Sequence, residues 1–252
     1  MTTVVLATLA AAVLIGVTLG GLGGGGSILT LPVLVYVTGV PLDGAVTMSL
    51  IVVGVTAAVA LVPHARAGHV RWRTGLPFAA AGMIGAYAGG RLAAHVPAQL
   101  LLTGFAVLMV LTAAAMLRPR HRAASADPAH RPRVPLIVAA GLGVGLATGL
   151  LGAGGGFLIV PALAILAAMP MPAAVGTSLL VIAANSTAGI AGHLHTTTVD
   201  WPLTAAITAL AVAGSVAGTH LAGKANPTVL RRAFGCFVIV AGAGVLARQL
   251  LT

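Results

Sequence analysis

Ten apolar stretches follow one another along this 252-residue chain, at about 4–19, 27–40, 43–62, 75–94, 98–117, 134–151, 157–169, 172–192, 202–222 and 228–251. No acidic residue stands in the middle of any of them: Asp43 opens a stretch, Asp127 and Asp200 lie between stretches, and there is no Glu. A hydrocarbon layer about 30 Å thick needs about 20 apolar residues in a helix that crosses it, and several stretches reach that length. Others are short. At 1.5 Å per residue, 4–19 covers roughly 24 Å and 27–40 roughly 21 Å.

The rest of the composition leaves little choice of solvent. The chain is 59% hydrophobic and 6% charged, where a soluble domain carries about 25% charged residues. It would present a greasy exterior to water, and disorder is excluded on the same ground. One cysteine, Cys236, rules out an intrachain disulfide and any Cys-rich metal or iron–sulfur site. The net charge of +10 is spread over short loops between apolar stretches. It reads as membrane-orienting charge and not as a nucleic-acid surface. Residues 1–19 have no Lys or Arg before their apolar run, so they read as a retained first helix and not a secretory leader.

The polar stretch Arg118–Arg133 divides the chain, and the two parts are related. A gapless shift of 129 residues lays Gly20–Trp72 on Gly149–Trp201 with 17 identities in 53 positions, against roughly one in nine expected from so biased a composition. Pro32 falls on Pro161, Pro41 on Pro170, Ser49 on Ser178, His64 on His193 and Trp72 on Trp201. The expected organisation is membrane repeat 1 over 1–117, a basic cytoplasmic linker over 118–133 and membrane repeat 2 over 134–252. The fold class is an all-α polytopic membrane protein of about eight long and two short helices. Five crossings per half invert the second half and put 11 of the 13 basic residues on one side; four crossings make the halves parallel and put nine there. The inverted reading is preferred.

Short Gly- and Pro-interrupted segments at equivalent places in two halves point to a transporter site. A helix that begins inside the membrane presents free N–H groups and the positive end of its dipole. The candidates are Gly23, Gly24, Gly25 and Gly26 in the first half and Gly154, Gly155 and Gly156 in the second, as backbone donors. Ser49, Thr177, Ser178 and Asn185 are candidate side-chain donors; an amide within an apolar run is costly unless used. His64, His193 and the two Trp suit interfacial anchoring. Gly21-x-Gly23-x-x-Gly26 imitates a dinucleotide fingerprint but lies between membrane segments, not in a βαβ unit. Ser186 and His193 are two helical turns apart, too far for a hydrolytic pair. The absence of carboxylates inside the apolar stretches disfavours a cation as cargo and suits an anion held without a formal ion pair. No cofactor and no metal site is expected; His193 and His195 are too close together and lack further ligands.

These residues resemble the TauE/SafE sulfite-exporter family, also called TSUP. The likeness is carried by Gly20–Ser27 and Gly149–Gly156, each leading to Pro32 or Pro161, and by Pro41-x-x-x-Ala-x-x-x-Ser49 and Pro170-x-x-x-Ala-x-x-x-Ser178. It spans nearly the whole chain. The resemblance implies a multi-pass protein of the cell membrane that exports small sulfur-containing anions such as sulfite, thiosulfate or organosulfonates, and it implies no enzyme. Its partners are then a small anionic substrate and the lipid bilayer, with no nucleic acid. The alternatives are a channel-like anion uniporter and a membrane assembly subunit without transport of its own. Ser27 faces Gly156 and Thr56 faces Asn185 across the repeat, so the two half-sites differ.

Overall fold

The structure is a computed structural model that describes residues 2–117, 134–151, 155–165, 167, 169–193 and 199–222, with isolated positions between 226 and 244. The linker 118–133, Gly154 and most of the last apolar stretch lie outside the described residues. The described chain is helical: α1 Thr2–Leu22, α2 Gly25–Pro32, α3 Leu42–Arg66, α4 Trp72–Ala93, α5 Ala98–Leu117, α6 Val134–Leu151, α7 Gly156–Ile165, α8 Met171–His193 and α9 Trp201–Ala222. By length and composition, α3, α6, α8 and the Trp201–Leu221 part of α9 are able to cross a membrane.

The breaks fall where backbone chemistry requires them. α1 closes with the Gly23 N–H donating to the Leu19 carbonyl at 2.9 Å, and Gly23 then turns with φ 70°, a region that favours glycine. The chain restarts as α2. Pro32 lacks an N–H and its ring crowds the carbonyl one turn back. The helix answers by widening into a π-helical turn over Val33–Val37, with the Thr38 N–H on the Val33 carbonyl at 3.2 Å. α7 follows a second positive-φ residue, Gly155, and carries Pro161 inside it. α2 with its π turn covers roughly 20 Å and α7 roughly 15 Å, so neither crosses 30 Å of hydrocarbon. Phe157, Ile159, Val160 and Leu163 of α7 are all fully buried, which fits a short helix enclosed by protein on every side.

Long helices pack through glycine. A methyl on Gly85 or Gly89 of α4 would overlap the carbonyl of Leu142 or Leu146 of α6, and one on Gly145 or Gly149 of α6 would overlap that of Gly82 or Ala86. On the other side of the molecule, Gly16 and Gly20 of α1 meet Ala211 and Ser215 of α9, while Gly214 and Gly218 of α9 meet Val13 and Val17. Shifting each partner by 129 residues converts the first set of contacts into the second. Small residues four apart let backbones approach closely where lipid supplies no hydrophobic drive between helices.

The same contacts give directions. Numbers rise together along α1 and α9, along α4 and α6, and along α4 and α8, where Gly75 meets Thr177, Gly82 meets Asn185 and Gly90 meets His193. They run oppositely along α3 and α8, where Gly54 meets Ser186 and Gly189 meets Leu50. His64 near the end of α3 reaches Gly20 near the end of α1, and Val62 and Pro63 of α3 lie beside Val216 and His220 near the end of α9, so α1, α3 and α9 point one way and α4, α6 and α8 the other. α4 and α9 start with Trp72 and Trp201, 47% and 65% exposed, as amphipathic anchors at helix ends should be. Asp200 caps α9 by accepting from the Leu203 N–H at 3.0 Å.

Candidate functional site

The two glycine-rich breaks meet. A methyl on Gly24 would overlap the Gly156 carbonyl, and one on Gly156 would stand 2.5 Å from the Gly24 Cα. Both residues are buried. Gly24 caps α2 and brings no side chain of its own to the first-turn N–H groups, which include those of Gly25 and Gly26. Gly26 is glycine for a further reason: a methyl there would overlap the Ile15 carbonyl of α1. Gly155 is buried and turned by its positive φ, with Thr148 against it.

The candidate hydroxyls have separate fates. Ser178, on α8, stands 2.6 Å from the Gly23 carbonyl and 2.7 Å from the Val175 carbonyl, and its single proton is committed between them. It ties α8 to the first break. Thr177 accepts from the Arg71 N–H at 2.9 Å and so fastens the α3–α4 turn to α8, away from the breaks. Ser49, which stands on Ser178 in the repeat, is fully buried and its Oγ has no partner.

Asn185 is the most unusual polar group. It sits two turns beyond Ser178 on α8, is 2% exposed, and neither Oδ1 nor Nδ2 has a hydrogen-bond partner. Its amide fills the notch at Gly82 of α4, where a methyl would lie 2.6 Å from Oδ1 and 2.8 Å from Nδ2. An amide desolvated without a partner costs about 2–7 kcal/mol depending on the reference state. Thr56, its counterpart in the repeat, and Ser186, facing Gly54 of α3, are likewise buried with unpartnered hydroxyls. Thr56 and Ser186 were not among the favoured sequence candidates. The signal for Thr56 was its alignment with Asn185; the signal for Gly82 was absent, because its role depends on a neighbouring helix.

The histidines differ as well. His64 Nε2 lies 3.1 Å from the Gly20 carbonyl on α1, whereas His193 Nδ1 lies 2.9 Å from the Gly189 carbonyl of its own helix. Among the described residues no group of three His, Cys, Asp or Glu is placed to hold a metal ion. What the arrangement offers is neutral: backbone N–H groups at helix starts, one amide and several hydroxyls, in an apolar surround.

The family described as "Sulfite exporter TauE/SafE" matches residues 8–245. Two proteins from strains of Xylella fastidiosa, each described as a "Probable membrane transporter protein", are 36% and 35% identical over 250 residues, covering 97% of this chain and 95% of theirs. A Bacillus subtilis protein, also described as a probable membrane transporter, is 25% identical over 239 residues, covering 92% of this chain and 96% of its own. No solved structure matches.

Proposed function

Because the chain belongs to the sulfite exporter TauE/SafE family, we propose that it is a multi-pass transporter of the cell membrane that moves small sulfur-containing anions, sulfite, thiosulfate or organosulfonates among them, between two inverted repeats. The observation that carries the site is the unpartnered Asn185 amide in the Gly82 notch, two turns from the paired helix breaks. A polar group that costs this much in an apolar surround is retained when something enters to satisfy it.

Inversion is supported by the helix directions. α1 and α6 are equivalent by the 129-residue shift and run oppositely, as do α3 and α8, and α4 and α9. That relation needs a two-fold axis perpendicular to the helices. Two such repeats would interlock, with α4 of the first on α6 of the second and α9 of the second on α1 of the first. α1 and α3 run the same way, so α2 and its π turn carry the chain back between them.

The anion is held by N–H groups at the breaks, by Asn185 and by hydroxyls. A hydrogen bond with one charged partner contributes about 1.5–3 kcal/mol. A few of them, after the anion is desolvated, give roughly micromolar to millimolar affinity. Gly24 and Gly156 touch in this state, so the path is closed there. Passage requires the two breaks to part and the Ser178 bond to Gly23 to move with them.

Proteoliposomes containing only this protein are expected to show saturable sulfite or sulfonate flux, and Asn185→Leu and Gly155→Leu to abolish it in protein that remains folded. Absence of flux from the wild type would favour a non-transporting subunit; wild-type flux in both variants would remove the proposed site. For topology, cysteines at Gly68 and Asp200 should label from opposite sides of the membrane, and labelling from one side would make the repeats parallel.

A further inference from the structure

At the end of the bundle where α3 begins, a crevice of about 230 Å³ opens between three helix ends. Asp43 lines it from the first turn of α3, Arg91 from the last turn of α4, His95 from the segment after it, and His193 from the last turn of α8. The α5 and α6 walls contribute Leu101 and Leu150 and no titratable side chain. Asp43, Arg91 and His95 are exposed and His193 is buried, so charge surrounds the mouth and an imidazole lies deeper. α3 is 25 residues long, so roughly 37 Å separates this crevice from Arg66 at the helix's other end. The crevice is therefore remote from the basic turn Arg66–Arg73.

The combination of groups is selective. Arg91 is a permanent cation whose planar fork matches two oxygens of an oxyanion. Asp43, a carboxylate on the adjoining helix, repels a second negative charge and accepts a hydrogen bond from an O–H. Together they suit a ligand with two charge-sharing oxygens and one hydroxyl. We propose that this crevice binds the singly charged, proton-bearing form of a small oxyanion, as hydrogensulfite is, and rejects dianions. The proposal rests on the reading of the protein as a small-anion transporter and deepens it: among the sulfur anions named above the crevice selects hydrogensulfite, whose proton enters with it, over thiosulfate, a dianion at neutral pH. This accords with the lack of any carboxylate in the middle of an apolar stretch, since no side chain there has to relay that proton.

The test is equilibrium binding by calorimetry to the full chain in lipid nanodiscs, with sulfite on both sides of its second ionisation, sulfate, and methanesulfonate. Methanesulfonate keeps one charge throughout and carries no acidic O–H, so it reports any contribution from titration of His95 and His193. After that correction, wild-type affinity for sulfite should rise at least tenfold on the acid side, and sulfate should bind at least tenfold more weakly than hydrogensulfite. Arg91→Gln should lower hydrogensulfite affinity at least tenfold, with Arg91→Lys, which keeps the charge and loses the fork, between it and the wild type. Asp43→Asn should erase the preference, so that sulfate and sulfite bind alike. Sulfate bound by the wild type as tightly as hydrogensulfite overturns the proposal, as does wild-type preference in Asp43→Asn or unchanged affinity in Arg91→Gln. Crevice binding should survive in the Asn185→Leu protein after flux is lost. Wild-type flux in Asn185→Leu would remove the Asn185 site while leaving the crevice standing, so the two readings fail separately.

Discussion

Ser178 in the second half shares its hydroxyl proton between the Gly23 carbonyl at the first break and the Val175 carbonyl of its own helix, while Ser49, its counterpart in the first half, is as deeply buried and has no partner. His64 reaches the Gly20 carbonyl of another helix, and His193 folds back onto Gly189 of its own. Thr56 and Asn185 stand at equivalent positions, one a hydroxyl and one an amide, and both lack partners. The packing of the same two halves behaves differently. Gly20 meets Ser215 as Gly149 meets Ala86, and Gly89 meets Leu146 as Gly218 meets Val17. The contrast has a physical cause. Close helix approach depends on the absence of a side chain and on backbone carbonyls, which every residue supplies, so a repeated pattern of small residues reproduces it. A polar contact depends on one atom at one place, and a single substitution on either side removes it.

The sharpest test of the packing equivalence is Gly20→Leu against Gly149→Leu. Each side chain would be driven into a facing backbone, and overpacking costs about 1–3 kcal/mol, occasionally more. Both variants should lose their melting transition or fall to aggregates on size exclusion. A clear loss from one and tolerance of the other would break the equivalence.

Asn185→Leu against Thr56→Val probes the polar difference. Replacing an unsatisfied buried amide by an apolar group of similar size should stabilise the protein by about 2 kcal/mol. Thr56→Val, which removes one orphan hydroxyl, should stabilise by less. Thermal melts in detergent read both. A destabilised Asn185→Leu would mean that the amide is satisfied in the resting protein, and the argument for an incoming ligand would go with it.

The smallest effect is expected from the serines. Ser178→Ala should cost about 1 kcal/mol, the net value of one hydrogen bond. Ser49→Ala should be neutral or slightly stabilising. Equal losses would show that Ser49 is also bonded and that the two halves are more alike at the breaks than Ser178 and Ser49 indicate.

Much of the architecture was readable along the chain. Among the described residues the first nine apolar stretches gave helices close to their expected bounds, and the positive-φ turns fell at Gly23 and Gly155 within the two glycine runs. Trp72 and Trp201 start helices at exposed positions, as interfacial anchors do. Asn185 was marked by its chemistry alone, because an amide in an apolar run is expensive wherever the run packs. Gly82 could not be marked. It is one small residue among many in α4, and only the approach of α8 makes it the notch that admits an amide. Ser178 was open to two uses, and the choice waited on the Gly23 carbonyl, 155 residues away in sequence.

By itself the sequence determined the solvent, the helical class, the places where helices must stop, and the near-absence of acidic charge among the apolar segments. These follow from composition, from periodicity and from the backbone limits of glycine and proline, all of which are local. Only the tertiary structure decided that the two glycine breaks touch, that α1, α3 and α9 run opposite to α4, α6 and α8, and that Asp43, Arg91, His95 and His193 share one crevice. Those are relations between residues tens of positions apart. They are set by which small-residue faces fit against which backbones, and no local property of the chain records that fit.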